Sequence, residues 1–252
     1  MLHRFFLSFL PHYAHMEGFL LVDKSAWASS HRVTHTIRKL TGIQRVGHAG
    51  TLDPFATGLL VVGIGRAATK HLSRFLALSK TYETTFVLGA TTPTDDSTKE
   101  PVLCPPSVAL TQKSVQEVLK TFQGAIEQIP PQYSAVKLRG QPMYQAACKG
   151  MRLEAKPRSV HIFSLTQTSP LTQKENGTWE ISLSIRCSSG TYIRSLARDL
   201  GKALGTSGYV KSLRRTSIGP FCVKNALPFE NISLEEINAR LVPIEQMLQK
   251  LQ

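Results

Sequence analysis

Residues 47–70 read GHAGTLDPFATGLLVVGIGRAATK, a polar, glycine-rich stretch that runs into an uninterrupted apolar one. Residues 47–54 predict a loop, because glycines permit tight turns and a close approach of the backbone. Residues 59–64 predict a buried strand, because they lack the alternation of a half-exposed one. Pro54 disfavours a helical conformation at Asp53. We therefore expect a carboxylate projected from a rigid loop, where functional groups are often found.

Asp53 has two interpretations from these residues alone. It can be a catalytic carboxylate, or it can form an Asx-type turn in which its oxygens accept from nearby backbone N–H groups. His48 lies five residues earlier and can likewise be a functional group or a turn residue. The local pattern leaves both alternatives open.

The chain on either side of this stretch predicts a mixture of helices and strands. A strand at 18–22 precedes a helix from about residue 30 to 40, with Ser29 or Ser30 as N-cap and Gly42 at its end. The other predicted elements are strands at 81–88, 159–168, 178–187 and 210–218, with a turn at Asn176-Gly177, and helices at 67–78, 114–122, 192–203 and 234–248. Residues 91–106 and 130–150 predict irregular segments. This mixture indicates an α+β fold with helices packed on a largely antiparallel sheet.

The charge balance favours a nucleic-acid partner. The 252 residues include 30 Lys and Arg against 17 Asp and Glu, a formal net charge of +13, and the pI is near 9.8. A phosphate backbone is a common reason for a small protein to be this basic. A basic surface that binds no RNA, or a patch that faces a membrane, would give the same net charge.

Cysteines and histidines suggest neither a disulfide framework nor a metal site. Four cysteines stand at wide spacings without a CxxC pair, which favours a reducing cytoplasm. His31 and His35 are four residues apart, but no third ligand is evident, so no metal is expected. We expect no cofactor. The cysteines are Cys104, Cys148, Cys187 and Cys222.

The first residues are expected to be an extension. Residues 1–16 contain a short apolar run that loosely resembles a signal peptide, but no small-residue cleavage site follows it. Met1 and Met16 are alternative starts, since the first strand follows Met16 directly. We expect a cytoplasmic monomer without a membrane span.

Five stretches, in chain order, resemble the TruB family of bacterial tRNA pseudouridine-55 synthases. They are residues 47–70, KTYETTFVLG (80–89), IPPQYSAVKLRGQPMYQAACKG (129–150), CSSGTYIRSLARDLG (187–201) and YVKSLRRTSIGPF (209–221). The resemblance extends over about residues 17–223. It implies the pseudouridine-synthase fold, with a central, mostly antiparallel mixed sheet flanked by helices and an RNA-binding cleft. It also implies an isomerase that flips uridine-55 out of the tRNA T loop and converts it to pseudouridine.

The resemblance implies roles for residues that match the family's motifs. Asp53 matches the catalytic aspartate, and Arg194 matches the arginine that pairs with it and keeps it ionised. Tyr82 matches the tyrosine that stacks on the flipped base and can handle a proton. His48 matches the histidine that enters the RNA loop. Without the resemblance, Tyr82 reads as an ordinary strand aromatic and Arg194 as a solvated helix charge.

Other residues are expected around this site. The resemblance implies that Lys24 supports the active site and that Leu213 forms part of the pocket wall. An insertion at about 129–154 is expected to grip RNA and to become ordered on binding it. The expected RNA contacts are Tyr133, Lys137, Arg139, Lys211, Arg214 and Arg215.

The chain departs from the family's pattern in two places. Many members carry Lys-Pro, then a glycine and Ser or Thr, after the first strand, whereas residues 24–30 here read KSAWASS. Many members also carry a C-terminal PUA domain. Residues 17–223 are expected to form the catalytic domain and 224–252 a short helical tail without a PUA domain, because about thirty residues cannot bury an independent core.

Three other functions remain open from the sequence. A tRNA-folding chaperone needs the basic surface but not Asp53 with Arg194. A pseudouridine synthase could act on another RNA, such as ribosomal RNA. A glycosidase needs a second carboxylate, and Asp95 and Asp96 stand in a segment with no evident anchors.

Overall fold

A computed structural model describes residues 16–107, 109–134, 136–138, 140–151, 153 and 155–251. The described chain divides into two compact units, one formed by the residues up to Leu78 together with those from Thr216, and one by Ser79–Arg215. The predicted N-terminal extension, apart from Met16, lies outside the described residues, as does Arg139.

The strands of the first unit form a sheet that is antiparallel except at one edge. They are β1 (Gly18–Lys24), β2 (Val46–Ala49), β3 (Thr57–Ile64), β14 (Phe221–Cys222) and β15 (Leu227–Pro228). Strand β1 pairs with β3 along its whole length, from Gly18↔Ile64 to Lys24↔Gly58, and β2 also pairs with β3. The short β15 runs parallel to β1.

Helices cover both faces of this sheet. They are α1 (Ser30–Thr41), α2 (Gly65–Thr69), α3 (Leu72–Ala77), α7 (Leu234–Arg240) and α8 (Ile244–Gln249), with 3₁₀ turns at Val223–Asn225 and Phe229–Asn231. On β3, Leu60 and Val62 pack in one apolar cluster with residues of α1 and α7, and Leu59 and Val61 pack in another with residues of α3 and α8. The apolar run at 59–64 therefore has no polar alternation because both faces of its strand are buried.

The ends of α1 confirm the predicted caps. The Ser29 side chain accepts a hydrogen bond from the Arg32 N–H at 3.0 Å, and Gly42, at φ 72°, donates its N–H to the Arg38 carbonyl. Such caps satisfy backbone groups that a helix leaves unpaired at its ends. They fix where the chain enters and leaves the helix.

Two predicted helices are each broken into two. The helix predicted at 67–78 divides into α2 and α3, where the Thr69 hydroxyl donates to the carbonyls of Gly65 and Arg66. Such back-bonding distorts a helix. The helix predicted at 234–248 divides into α7 and α8, because Val242 pairs with Phe19 of β1 and Pro243 cannot continue a helix.

The second unit holds an antiparallel sheet with the order β4-β12-β10-β7. Its strands are β4 (Lys80–Leu88), β5 (Ala90–Thr91), β6 (Val102–Leu103), β7 (Gly124–Gln128), β8 (Lys137–Leu138), β9 (Gln141–Pro142), β10 (Arg158–Gln167), β11 (Thr172–Gln173) and β12 (Trp179–Cys187). Its helices are α4 (Gln112–Thr121), α5 (Met143–Cys148) and α6 (Ile193–Ala203). Strand β13 (Gly208–Ile218) contains the boundary between the units.

The predicted strands and helices of this unit agree with the structure to within about two residues, but three connections differ. The turn at Asn176-Gly177 joins β12 to the additional strand β11. Residues 91–106, predicted as an unanchored loop, contain the β5–β6 hairpin. Residues 130–150, predicted as irregular, contain the β8–β9 hairpin and α5.

The predicted α+β class and mostly antiparallel mixed sheet are confirmed. Every strand pair described above is antiparallel except β1 with β15. Within the described part of the chain, no helix is both long enough and apolar enough to cross a membrane.

Candidate active site

The loop that carries Asp53 is shorter than predicted. Residues 46–49 form β2, in which His48 lies opposite Val62 of β3, so the predicted loop of residues 47–54 begins as a strand. Buried Val46 and Ala49 hold this strand against the core. The connection proper starts at Gly50, which has a φ of 87°.

Hydrogen bonds hold the loop on both sides of Asp53. The hydroxyl of buried Ser30 donates to the Leu52 carbonyl at 3.3 Å and accepts from the Leu52 N–H at 3.0 Å. The Pro54 carbonyl accepts from the Trp27 N–H at 2.7 Å. Asp53 itself accepts from the Ala56 N–H through its carbonyl, and its side chain is half-buried. The backbone at the carboxylate is thus fixed by the segment that follows β1.

Lys24 is the main anchor of that segment. Its side chain has no exposed surface. The ammonium group donates to the carbonyls of Ser25 at 2.9 Å, Ala28 at 2.8 Å and Pro54 at 3.2 Å. Three carbonyl acceptors match the three donors of an ammonium group and offset the cost of burying it. Lys24 therefore holds together two loops that meet beside Asp53.

His48 packs against a second imidazole. Its ring meets that of His31 edge to face, with centroids 5.7 Å apart and an interplanar angle of 86°. His48 is half-buried, whereas His31 is exposed on the first turn of α1. The two rings form an aromatic surface near the Asp53 loop. Among the described residues, no group of three or more His, Cys, Asp or Glu side chains could hold a metal ion.

In the second unit, Tyr82 lies on β4 opposite Ile185 of β12 and is 9% exposed. Lys80, two residues earlier, points to the same face of the strand and is also buried. Burial, and secondly the charge of Arg215, lower the pKa of Lys80 to about 8, against the opposing influence of Cys187. Burial raises the pKa of the Cys187 thiol to about 11.

Arg194 is buried in the first turn of α6, with 4% of its surface exposed. Its guanidinium donates to the carbonyls of Thr94 at 3.0 Å and Tyr133 at 2.9 Å. Its Nη1 lies 3.6 Å from Oδ2 of Asp96. This burial excludes the interpretation of Arg194 as a solvated helix charge.

Asp96 was missed as a partner of Arg194, and the view that Asp95 and Asp96 lack anchors is wrong. Asp96 is 4% exposed, and its Oδ1 accepts from the Thr98 N–H at 3.0 Å and from the hydroxyls of Thr94 and Thr98. The Thr-x-Asp-x-Thr spacing was a usable signal, because an aspartate often accepts from the backbone two residues on.

Asp95 forms the neighbouring ion pair. Its Oδ2 lies 3.2 Å from Nη1 of Arg198, and Arg198 also donates to the Ile129 carbonyl. Burial raises the pKa of Asp95, although the charges of Arg198 and Arg194 oppose this. Two Asp–Arg pairs therefore tie the segment after β5 to α6.

The predicted residues on β13 have different environments. Leu213 is buried, Arg214 is half-buried, and the exposed Lys211 pairs with Glu180 of β12. Arg215 is only 2% exposed, and its predicted contact with a phosphate remains a prediction. The predicted RNA contacts of Lys211 and Arg214 remain predictions.

The insertion is closed at its base by a side-chain to backbone pair. Gln132 donates to the Leu153 carbonyl at 2.9 Å and accepts from the Leu153 N–H at 3.1 Å. Tyr133 is half-buried, and its carbonyl accepts from Arg194. Lys137 lies in β8, and Arg139 is outside the described residues.

Comparison with known structures shows the fold. The chain is similar to a chain in the crystal structure of a Cbf5-Nop10-Gar1 complex, with a TM-score of 0.68 and 24% identity over 92% of this chain and 62% of that one. The predicted pseudouridine-synthase fold is confirmed.

Comparison of sequences shows the family. The profile described as "TruB family pseudouridylate synthase (N terminal domain)" matches residues 38–193, and "tRNA pseudouridylate synthase B C-terminal domain" matches 194–250. A protein of Thermobifida fusca (strain YX), named tRNA pseudouridine synthase B, is 44% identical over 87% of this chain and 75% of its own length. A relative of the same name in Arthrobacter sp. (strain FB24) is 40% identical over 87% of this chain and 72% of its own length. The chain thus belongs to the TruB family of pseudouridylate synthases, which are isomerases.

Proposed function

We propose that this enzyme converts uridine-55 in the T loop of tRNA to pseudouridine, with Asp53 as its nucleophile. The observation that carries the proposal is the fixed loop around Asp53, which lies in the stretch resembling the family's signature. The relatives named tRNA pseudouridine synthase B support tRNA as the substrate. The net charge of +13 supports a partner with a phosphate backbone.

The reaction exchanges one bond of the base for another. The N–C glycosidic bond of uridine breaks, the base rotates, and a C–C bond to the ribose forms. The proton on the carbon that becomes bonded must leave, and the freed nitrogen must take one up, so atoms and charge balance without a redox partner. The Asp53 carboxylate adds to the base or to the ribose, and it must be ionised for either route.

The second unit supplies the other proposed catalytic groups. We assign Arg194 the role of the cation that stabilises the ionised nucleophile. Its two carbonyl acceptors and Asp96 fix the orientation of the guanidinium. A fixed orientation supports this role, because a guanidinium must point its N–H groups at the carboxylate that it stabilises. We assign Tyr82 the role of a stacking platform and proton carrier for the flipped base. Its burial on β4 supports a fixed ring.

His48 has a proposed role in extruding the uridine. A base inside a folded loop is hidden by stacking, so the enzyme must flip it out and fill the space it leaves. The edge-to-face packing of His48 on His31 supports this role, because it orients the imidazole. We further propose that Leu213 lines the base pocket and that the insertion, Lys211 and Arg214 contact the RNA.

The site of action is also a proposal. We infer a cytoplasmic enzyme that works as a monomer. The four free cysteines support a reducing compartment.

Pseudouridine mapping on an unmodified tRNA transcript tests the function. We expect the wild-type protein to introduce pseudouridine at position 55, and Asp53→Asn to introduce none while still binding tRNA. Asp199→Asn, which changes a partly exposed carboxylate of α6, is the matched control and should retain activity. If the wild type binds tRNA without forming pseudouridine, the chaperone function replaces this proposal. If the new pseudouridine arises elsewhere or in ribosomal RNA, the substrate assignment fails.

A further inference from the structure

Trp27 has an unusual backbone conformation and a highly exposed side chain. Its φ is 65°, and among the described non-glycine residues only Asp95 shares a positive φ. The indole is 67% exposed, the largest value among the exposed large hydrophobic residues of the described chain. A bulky residue in the left-handed region is an outlier, which the surrounding structure must enforce.

The conformation is enforced from several directions. The buried ammonium group of Lys24 binds the carbonyls of Ser25 and Ala28, which flank Trp27. The Trp27 N–H donates to the Pro54 carbonyl at 2.7 Å. The Ser25 side chain also hydrogen-bonds Glu230, which lowers the pKa of that carboxyl. The loop is therefore held in one shape that puts residue 27 in the left-handed region.

A glycine would hold this shape without strain, and the family's pattern has a glycine in this segment. The left-handed conformation carries a steric cost for a residue with a Cβ. At 67% exposure the indole recovers little of that cost by packing within the chain. Both the strain and the exposed apolar surface are then unexplained by stability. Strain of this kind often accompanies function.

The position of Trp27 indicates what the indole serves. Its N–H bonds the carbonyl of Pro54, the residue that follows Asp53. The exposed His31 and Arg32 follow on the first turn of α1. An exposed aromatic ring a few residues before exposed cationic and imidazole side chains has the chemistry of a single-stranded nucleic-acid platform, because any base can stack on it.

We propose that Trp27 stacks on an unpaired base of the RNA substrate, next to the uridine that reacts. This inference rests on the proposed function for the identity of the RNA. It makes the altered loop at residues 25–28 an additional base-binding element. Stacking on one base contributes about 1–3 kcal/mol, which corresponds to a roughly 5- to 150-fold change in affinity.

Tryptophan fluorescence tests the proposal directly. The chain contains two tryptophans, so a Trp179→Phe background leaves Trp27 as the sole indole. We expect an unmodified T-arm stem-loop RNA to quench this fluorescence on binding. Trp27→Ala should weaken binding roughly 5- to 150-fold and Trp27→Phe much less, because phenylalanine keeps a stacking face. Most of the loss in kcat/KM should come from a higher KM rather than from a lower kcat. Leu103→Ala, which trims another exposed apolar residue, should leave the affinity unchanged.

Trp27→Gly separates stacking from strain. It should raise the Tm, because it relieves the left-handed backbone, and should weaken RNA binding as Trp27→Ala does. A variant that gains stability and binds RNA as tightly as the wild type would overturn the proposal, as would an indole that RNA does not quench. Binding is also measured in an Asp53→Asn background. If RNA quenches Trp27 there but the wild type forms no pseudouridine, the proposed function fails while the stacking site stands.

Discussion

The ammonium group of Lys24 donates a hydrogen bond to the Pro54 carbonyl at 3.2 Å, so that a buried cation of β1 holds the residue next to Asp53. The same group binds two carbonyls of its own loop. One side chain therefore fixes both the loop after β1 and the loop that carries Asp53. A role near the active site was expected for Lys24; these contacts support a positioning role, which remains a prediction.

Lys24→Met should reduce both stability and activity. Hydrogen bonds to charged groups contribute about 1.5–3 kcal/mol each, and their loss would leave buried carbonyls unsatisfied. We expect a loss of about 3 kcal/mol in the free energy of unfolding. Urea denaturation measures it, with pseudouridine formation measured alongside. Lys39→Met, at an exposed position of α1, is the control. Unchanged activity in Lys24→Met would show that the loop keeps its shape without the ammonium group.

Asp96→Ala should be more damaging than Asp95→Ala. Asp96 faces a guanidinium with 5% exposure, and removing one partner of a buried pair costs about 3–5 kcal/mol. Asp95 pairs with Arg198, whose side chain is 31% exposed, so the stranded charge can reach water. We expect Asp96→Ala to reduce pseudouridine formation at least tenfold and to lower the Tm. Circular dichroism and single-turnover assays compare the two variants. Equal effects would mean that the Asp96–Arg194 pair has no special role.

The core strands and long helices could be predicted from sequence because their burial is periodic or continuous. Residues 59–64 predicted a buried strand, and β3 is covered on both faces. The β8–β9 hairpin and α5 were not predicted, since strands of two residues and a helix of six are too short to show a period. The breaks within two predicted helices depend on Thr69 back-bonding and on the pairing of Val242 with Phe19.

The resemblance supplied the candidate site residues, but their contacts depend on the fold. Arg194 donates to the carbonyl of Thr94, which lies 100 residues earlier in the chain, and no local sequence pattern predicts that contact. Asp96 could have been noticed from its flanking threonines. The left-handed conformation of Trp27 could not have been predicted. The sequence lacks the glycine of the family's pattern in residues 24–30, but it does not show that the backbone still adopts a turn with a positive φ there.

Lys80 should make stability rise with pH above about pH 8. Its native pKa is about 8 and its ordinary value 10.5, so between these values the unfolded chain binds more protons and stability increases with pH. Cys187 acts in the opposite direction above pH 9, because its native pKa is about 11 against an ordinary 9.0. The useful window therefore lies between about pH 8 and pH 9.

The slope of stability with pH measures this contribution. Lys80 should add at most about 1.4 kcal/mol per pH unit to the free energy of unfolding in that window. Urea denaturation at several pH values should show a smaller slope for Lys80→Met than for the wild type, whereas Lys39→Met keeps the wild-type slope. If Lys80→Met and the wild type have the same slope, Lys80 does not titrate in this window.

Lys211 and Lys174 provide a matched test of RNA contact on the surface. Both bind the Glu180 carboxylate, and both are more than 40% exposed. Exposed pairs contribute little to stability, so either lysine can be removed without disturbing the fold. Lys211 was predicted to contact a phosphate and Lys174 was not.

We expect Lys211→Ala to weaken tRNA binding and to lower the slope of log affinity against log salt by about one, with no such change in Lys174→Ala. Filter binding over a range of salt concentrations measures both slopes. Matching slopes for the two variants and the wild type would remove Lys211 from the RNA surface and leave the insertion and Arg214 as the remaining predicted contacts.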